Sequence, residues 1–209
     1  IYLRHLYKYI LYFYYIIMNI VVAACKNRGI GFKNKLPWKL SKEMKYFKEL
    51  TIGEKNNAVV MGRNTWLSIP EKNRPLPKRE NIVLTSRTVQ TRPWVDSNVC
   101  FVNSLESIDT IYGLYSFDNI WIIGGEMIYK ETLKRGIVEN IFYTEIQTDY
   151  ECDTFFPEIP SNFLNIYESN PIYDSGETIR FKIYSLRNNL PHAFVAREKA
   201  IRAEKKALL

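Results

Sequence analysis

Histidine is nearly missing from this chain of 209 residues, which contains only His5 and His192, one near each end. If the terminal segments are peripheral, no histidine remains for chemistry in the central part of the chain. A Ser-His-Asp or Cys-His catalytic centre is then excluded. Any acid–base step must therefore fall to a carboxylate.

Cysteine is also scarce, because Cys25, Cys100 and Cys152 stand far apart and form no CxxC pair. Three such cysteines provide neither a disulfide framework nor the ligands of a structural zinc site. We expect them to be reduced thiols that pack as small apolar residues. This usage is typical of a cytoplasmic protein, and no metal site is expected.

Excess positive charge is largely absent from the central part of the chain, although the net charge is +7. Residues 1–18 carry +2 and residues 189–209 carry +3, which leaves +2 for residues 19–188. A nearly neutral body does not predict the basic groove of a nucleic-acid binder. A nonenzymatic nucleic-acid binder remains the alternative that the total charge suggests.

A long hydrophobic run is missing as well. The apolar run at 9–17 is shorter than the about 20 residues of a membrane span, and it lacks a small-residue cleavage site. We interpret residues 1–18 as lying upstream of a true start at Met18, with a membrane-surface helix or an ordered extension as alternatives. Residues 189–209 predict a basic, solvated tail that can form a helix, and no membrane partner is expected.

The central part alternates short apolar runs with amphipathic stretches. Five runs are continuously apolar, as in buried strands of a parallel sheet. These runs are 20–25, 58–62, 81–85, 99–102 and 119–124. Helical patterns between several of them predict the crossovers of an α/β sheet. These patterns cover 41–50, 64–68, 104–115 and 126–134.

Three further runs, 139–146, 164–169 and 178–186, follow one another without a helical pattern between them. We expect these runs to pair antiparallel. No internal repeat and no low-complexity linker divides the sequence. The simplest account is therefore one domain over residues 19–188.

Several apolar runs end in residues suited to an anionic ligand, although neither GxGxxG nor a P-loop is present. IIGGEMIY (122–129) places two glycines where a strand gives way to a helix, which favours close approach of a phosphate. MGRNTW (61–66) begins a helix with a cation and a hydroxyl, and LTSRT (84–88) ends a strand in the same way. Each motif alone also fits a packing turn or a solvated strand end. Together they predict an extended polyphosphate ligand, with KNRGIGFKNKLPW (26–38) as a lid or a plain connection.

One carboxylate, Glu43, has an unusual position in LPWKLSKEMKYFKEL (36–50). On a helical wheel, Phe47 and Leu50 flank it at about 40° and 340°. The charged neighbours point the other way, between about 140° and 260°: Lys42, Lys45, Lys48 and Glu49. Glu43 is either satisfied by first-turn amides or a lysine, or offered to a ligand with two N–H donors in an apolar cleft. Burial would raise its pKa, and Ser41 is expected to cap the helix.

In this order and spacing, the pieces resemble the dihydrofolate reductase family over nearly all of residues 19–188. The resemblance rests on IVVAACKNRGIG, LPWKLSKEMKYFKELT, VVMGRNTWLSIPEKNRPLPKRENIVLTSR, WIIGGEMIYKE and FYTEIQTDYECDTFFPEI. It implies an α/β fold with a central, mixed, mostly parallel eight-stranded sheet, flanking helices and an antiparallel C-terminal strand.

The resemblance also implies a function. The expected reaction is the NADPH-dependent reduction of 7,8-dihydrofolate to 5,6,7,8-tetrahydrofolate, by hydride transfer to C6 and protonation at N5. Such an enzyme supplies one-carbon metabolism and thymidylate and purine synthesis. A monomer inhibited by antifolates such as methotrexate is expected. The alternative is a related reductase of the same fold in the riboflavin pathway.

By resemblance, Glu43 holds the 2-amino group and N3 of the pterin and supports protonation at N5. Thr144 would bridge to Glu43 through its hydroxyl, and Trp38 would hold a water and the lid. Arg79 would pair with the α-carboxylate of the glutamate tail. The apolar residues expected to line the folate pocket are Val21, Val22, Met44, Phe47, Ile69, Leu76 and Ile123.

The same resemblance places NADPH across the strand ends. Ala23 and Ile30 would offer backbone groups to the nicotinamide carboxamide. Ser86 and Arg87 would take the 2′-phosphate, and Arg63 would serve the diphosphate or the 2′-phosphate, so NADPH is expected rather than NADH. The other expected cofactor contacts are Gly31, Gly62, Asn64, Thr65, Ile123, Gly124, Gly125, Glu126, Met127, Ile128 and Tyr129.

Overall fold

The computed structural model describes residues 18–53, 56–86, 98–108, 117–187 and 190–209. The interpretation of the N-terminal segment therefore falls outside the described residues, apart from Met18. Most of the predicted helix at 104–115 and the candidate phosphate ligand Arg87 also lie outside them.

Strands and helices alternate through most of the described chain. The strands are β1 (Met18–Cys25), β2 (Gly29–Gly31), β3 (Asn57–Gly62), β4 (Glu80–Leu84), β5 (Val99–Val102), β6 (Asn119–Gly124), β7 (Val138–Ile146), β8 (Thr154–Phe155), β9 (Phe163–Glu168), β10 (Ile172–Asp174) and β11 (Glu177–Leu186). The helices are α1 (Ser41–Ile52), α2 (Arg63–Ser68), α3 (Glu126–Lys134) and α4 (Leu190–Leu208), with a short 3-10 helix at Glu71–Asn73.

One mixed sheet forms the centre of the fold, in the order β10-β11-β7-β1-β6-β3-β4-β5. The six strands from β7 to β5 are mutually parallel, whereas β11 runs antiparallel to β7. The predicted mixed, mostly parallel sheet with an antiparallel C-terminal strand is confirmed. A ninth strand, β9, pairs antiparallel with β11, so the last three predicted runs also pair as expected.

The continuously apolar strands are explained by burial on both faces of the sheet. Along β1, Ile20 and Val22 pack in one hydrophobic cluster, while Val21 packs in a second cluster on the opposite face. Neighbouring side chains of a strand point to opposite faces, so every position of such a strand needs an apolar residue. In β3, Val60 likewise packs in the first cluster and Val59 in the second.

Helix α4 packs against the domain through a row of buried alanines. Ala196, Ala200, Ala203 and Ala207 join the second cluster, which also contains Tyr46 of α1. This placement differs from a solvated tail. Small alanine side chains at helical spacing let the backbone of α4 approach closely, while most of its basic residues face outward.

Polar contacts also hold α4 in place. The Tyr167 hydroxyl donates a hydrogen bond to the carboxylate of Glu204. The Lys206 ammonium lies 3.3 Å from the Glu49 carboxylate of α1. The Lys199 ammonium donates to the Asn119 side chain at 2.7 Å.

Of the helices that the structure describes, none has both the length and the apolar character needed to cross a membrane.

Substituting Ala200→Asp tests the docking of α4. The side chain of Ala200 is 0% exposed, so a carboxylate there must be buried without a partner or must detach the helix. Either result lowers the free energy of unfolding, by about 2–4 kcal/mol. Urea denaturation measures this change.

The matched control is Val195→Asp, because Val195 lies on the same helix with 60% of its surface exposed. This substitution should change the free energy of unfolding by less than about 0.5 kcal/mol. Equal effects of the two substitutions would show that α4 is not packed as described.

Candidate active site at the carboxyl edge of the sheet

The candidate site lies where the parallel strands β1, β3 and β6 end. Carboxyl ends of neighbouring parallel strands share one edge of a sheet, where ligands of α/β proteins bind. Met61 of β3 is paired with Gly124 of β6 at this edge. The connections that leave it are the loop at 26–38 and the helices α2 and α3.

Glu43 lies in the first turn of α1 and is 5% exposed. As the helical wheel predicts, Leu50 is buried with it, whereas Lys45 and Lys48 on the opposite side are exposed. Burial raises the pKa of Glu43 to about 7, and the nearby negative charge of Asp174 adds to this effect. Near neutral pH, Glu43 is therefore present in both its protonated and ionised forms.

The first turn of α1 is capped by a residue from a distant hairpin. The carboxylate of Asp174, at the end of β10, accepts hydrogen bonds from the backbone amides of Ser41 at 3.0 Å, Lys42 at 2.7 Å and Glu43 at 3.0 Å. The expectation that Ser41 caps the helix is wrong, because Ser41 is already its first residue and Asp174 binds the free amides. Sequence inspection missed Asp174, since a Tyr-Asp-Ser-Gly segment indicates only a hairpin turn.

Two residues expected to act with Glu43 have buried polar atoms without partners, so the expected bridge from the Thr144 hydroxyl to Glu43 is not formed in this structure. Thr144 Oγ1 and Trp38 Nε1 are buried and make no hydrogen bond within the described structure. Thr144 lies opposite Ala23 in the β1–β7 pair, and Trp38 ends the loop that follows β1. A buried polar group without a partner costs about 1–3 kcal/mol. Such groups are the ones that a polar ligand or an ordered water would satisfy.

Apolar side chains accompany Glu43 on one face of the sheet. Val21, Phe47, Ile69, Leu76 and Ile123 belong to or pack against the same hydrophobic cluster. They form the apolar surroundings expected of a site for a flat ring.

Two residues predicted to line the folate pocket have different surroundings. The side chain of Val22 packs in the other cluster, because it follows Val21 in the strand and points to the opposite face. Met44 is 49% exposed, which places it at the rim of the site.

Arg79 is a buried cation with unused hydrogen-bonding capacity. It is 5% exposed, and burial lowers its pKa to about 10. Its guanidinium donates to the Thr51 hydroxyl at 2.5 Å and to the carbonyl of Pro77 at 3.1 Å. It lies over the ring of Phe47, 5.8 Å from the centroid. In the described part of the chain no acidic side chain pairs with it, so its free N–H groups suit a ligand carboxylate.

Two glycines form the turn from the end of β6 into α3, where the backbone packs closely against Tyr129 and Thr65. Gly124 has a φ of +113°, and a Cβ atom there would lie 3.1 Å from the hydroxyl of Tyr129. A Cβ on Gly125 would lie 3.3 Å from the hydroxyl oxygen of Thr65. Gly125 precedes α3 without any side-chain cap, so first-turn amides remain for an anion. Tyr129 ties this turn to β1 by donating to the carbonyl of Val21 at 3.0 Å.

The other residues predicted to bind the cofactor fall into two groups. Around the start of α2, Arg63 and Thr65 are half-buried and Asn64 is exposed. Ser86 is exposed at the end of β4. The remaining positions, which border the loop after β1 or α3, are Ala23, Ile30, Gly31, Gly62, Glu126, Met127 and Ile128.

Some of these side chains already have structural partners. The carboxylate of Glu126 accepts a hydrogen bond from the backbone amide of Phe155 at 3.0 Å, so it holds β8. The carbonyl of Gly31 accepts from the amide of Asp153 at 3.0 Å. Ile30 packs against the first hydrophobic cluster, and Met127 is exposed.

The three cysteines are free thiols. The sulfur atoms of Cys25 and Cys152 lie 3.9 Å apart at the base of the loop after β1. Burial raises the pKa of Cys152 to about 11. This thiol therefore stays protonated and weakly nucleophilic at neutral pH.

Comparisons with known proteins agree with this geometry. Residues 17–188 match the family model described as dihydrofolate reductase. A dihydrofolate reductase of Aedes albopictus is 36% identical over 177 residues, which cover 79% of this chain and 95% of that protein. A dihydrofolate reductase of Heliothis virescens is 41% identical over 160 residues, which cover 74% of this chain and 86% of that protein. A bifunctional dihydrofolate reductase-thymidylate synthase of Zea mays is 40% identical, covering 85% of this chain and 33% of that protein.

The raised pKa of Glu43 predicts a pH-dependent effect of Glu43→Gln on stability. A carboxyl group whose pKa is higher in the folded than in the unfolded state loses stability as it ionises. The pKa of Glu43 rises from 4.5 to about 7 on folding. The loss of stability therefore begins near pH 4.5 and is complete above about pH 7. Relative to wild type, Glu43→Gln should therefore gain about 3 kcal/mol in free energy of unfolding between about pH 4 and pH 8.

Urea denaturation across this pH range measures the effect. Glu71→Gln is the matched control, because the Glu71 side chain is 96% exposed, and its stability should follow that of the wild type. Parallel pH profiles for Glu43→Gln and wild type would contradict the burial of an ionisable Glu43.

Proposed function

The chain belongs to the dihydrofolate reductase family of enzymes, and we propose that it reduces 7,8-dihydrofolate to 5,6,7,8-tetrahydrofolate with NADPH. The observation that carries this proposal is the buried carboxylate of Glu43 among apolar side chains. A flat, apolar-faced ring with two N–H donors on one edge complements such a site. The product would supply one-carbon metabolism and thymidylate and purine synthesis.

Glu43 orients the substrate in this proposal. Its two oxygens accept hydrogen bonds from N3 and the 2-amino group of the pterin. The Thr144 hydroxyl, which lacks a partner inside the described structure, adds a hydrogen bond to the same network. The apolar neighbours Val21, Phe47 and Ile123 contact the ring and exclude water, which strengthens these bonds.

When bound, NADPH supplies the hydride that C6 of the substrate accepts. The chain must provide a proton at N5. Glu43 binds the side of the ring opposite C6, so a water brings the proton to N5. Trp38, whose indole N–H has no partner in the described structure, holds that water. A pKa near 7 lets Glu43 support the protonation at neutral pH.

Arg79 binds the far end of the substrate. Its guanidinium stays protonated at neutral pH. It presents parallel N–H donors to the α-carboxylate of the glutamate tail. The Phe47 ring beneath it positions both the cation and the apolar middle of the substrate. This subsite distinguishes folates from the pyrimidine substrate of a riboflavin-pathway reductase, which has no such tail.

The glycine turn after β6 and the start of α3 accommodate the cofactor diphosphate in the proposed complex. Gly124 and Gly125 let this turn pack closely against Tyr129 and Thr65, which a Cβ atom at either position would crowd. Arg63 and Thr65 approach the same anion from α2. Ser86, together with Arg87 beyond the described residues, binds the 2′-phosphate and favours NADPH over NADH. The nicotinamide meets backbone groups of Ala23 and Ile30.

The decisive experiment measures oxidation of NADPH by the purified chain with and without 7,8-dihydrofolate. Wild type should consume NADPH only when dihydrofolate is present, and more readily than NADH. Glu43→Gln should lower turnover at neutral pH by at least about 100-fold, while binding of NADPH stays nearly intact because Glu43 contacts only the substrate.

Glu49→Gln is the control, since Glu49 lies on the same helix but faces α4, and its turnover should remain within about two-fold of wild type. Loss of NADPH binding in Glu43→Gln would show that the residue is misplaced. A wild-type chain that neither oxidises NADPH with dihydrofolate nor binds methotrexate would favour the riboflavin-pathway alternative.

Arg79→Lys tests the tail subsite. A lysine retains the charge but presents one ammonium instead of a planar pair of donors, so KM for dihydrofolate should rise by about ten-fold or more. Turnover at saturating substrate should change little, because the tail lies far from the reacting atoms.

Steady-state kinetics separate KM from turnover for this variant. Arg180→Lys is its control, because Arg180 pairs with Glu168 at 2.8 Å on the sheet surface, and its KM should equal that of the wild type. An unchanged KM in Arg79→Lys would place the substrate tail elsewhere.

A further inference from the structure

Asp174 is a buried carboxylate that binds α1 from outside the helix. Both of its oxygens are used: one accepts from the amide of Ser41 at 3.0 Å and from the hydroxyl of Ser175 at 2.9 Å. The other accepts from the amides of Lys42 at 2.7 Å and Glu43 at 3.0 Å. The N-cap residue of α1 is Leu40, which makes no side-chain hydrogen bond to these amides.

The hairpin that carries Asp174 is anchored to the same part of the sheet as the candidate site. Strand β11 pairs with β7 so that Phe181 lies opposite Thr144. The ring of Phe181 stacks on that of Tyr46 of α1, with centroids 3.8 Å apart. The ammonium of Lys42 donates to the carbonyl of Tyr173 at 2.8 Å. The first turn of α1 is therefore bound to the hairpin by charge, backbone and ring contacts.

Asp174 also provides the one full charge that acts on Glu43 among the described residues. The charge of Glu43 also acts on two phenols, those of Tyr46 on α1 and Tyr129 on α3. Burial raises the pKa of both phenols above the ordinary value, so they stay neutral. Lys42, the nearest cation along the chain, is turned away onto the carbonyl of Tyr173.

We propose that Asp174 is a positioning residue, which fixes the Glu43 carboxylate at the candidate site by binding the first three amides of α1 and places a negative charge beside it. Hydrogen bonds from amides to a carboxylate are stronger than those between neutral groups, and an anion at a helix N-terminus is favourable. The negative charge of Asp174 disfavours the ionised form of Glu43. This inference rests on the proposed function, because it assigns Asp174 a part in the same reaction.

The test compares Asp174→Asn with wild type. Removing the negative charge favours ionisation of Glu43, so the pKa of Glu43 should fall by about 0.5–1 unit. The pH at which turnover declines should move to lower pH by the same amount, and turnover near neutral pH should drop several-fold. Asp174→Asn keeps one acceptor oxygen and so retains only part of the cap, whereas Asp174→Ala frees all three amides and should in addition raise KM for dihydrofolate by about ten-fold. Asp174→Glu restores the charge and should return the pH profile toward that of wild type.

Glu177→Gln is the matched control. Glu177 is a carboxylate of the same hairpin, but it accepts hydrogen bonds from the hydroxyls of Thr148 and Tyr150 and makes none with α1 among the described residues. Its substitution should leave the pH profile and KM for dihydrofolate unchanged. The inference is overturned if Asp174→Asn and Asp174→Ala lose stability while their pH profiles and KM values match wild type, since Asp174 would then serve the fold alone.

A second measurement does not depend on activity. Carbon-13 labelling of glutamate carboxyl groups gives an NMR titration of Glu43, assigned by the signal that disappears in Glu43→Gln. The titration midpoint should lie near 7 in wild type and lower in Asp174→Asn. Equal midpoints in wild type and Asp174→Asn would show that the charge of Asp174 does not affect the ionisation of Glu43, which would overturn the inference. If wild type shows no activity with dihydrofolate, the proposed function fails, and this titration still tests the inference.

Discussion

The burial of one carboxylate in apolar surroundings is the constraint on which the site depends. Ionising the buried Glu43 costs free energy, and no side chain in the described residues donates a hydrogen bond to its carboxylate. The protein therefore carries a group that its own fold does not satisfy. In the proposed complex, a ligand with a complementary pair of donors recovers that free energy, which would give the site both affinity and selectivity for such a ring.

The rest of the fold holds this unfavourable arrangement in place. Helix α1 is bound at its first turn by Asp174, against the sheet by Tyr46, and on its outer side by α4. These contacts come from segments more than 100 residues away in sequence. The first turn of an isolated helix frays readily, so positioning Glu43 depends on the hairpin and on packing rather than on the helix alone.

Local patterns were enough to predict the burial of Glu43 and the position of the glycine turn. The period of α1 placed Glu43 on the apolar side, because a helix returns to the same face every three or four residues. Two glycines after an apolar strand indicated a helix start open to an anion, and Gly124 indeed has a φ that favours glycine. The same approach missed Asp174 and the docking of α4. A short turn motif does not reveal which helix it caps, and alanines give a weak hydrophobic signal beside five basic residues.

The sequence by itself determined the longer strands and most of the helices that the structure describes, which face of α1 is apolar, and the resemblance that identifies the family. These features depend on side-chain periodicity and on residues near one another in the chain. Only the tertiary structure decided the strand order, the separation of Val21 from Val22 onto opposite faces, the partners of Arg79 and the environment that raises the pKa of Glu43. Such features depend on pairings between distant segments, and many pairings are compatible with one set of local patterns until the whole core packs.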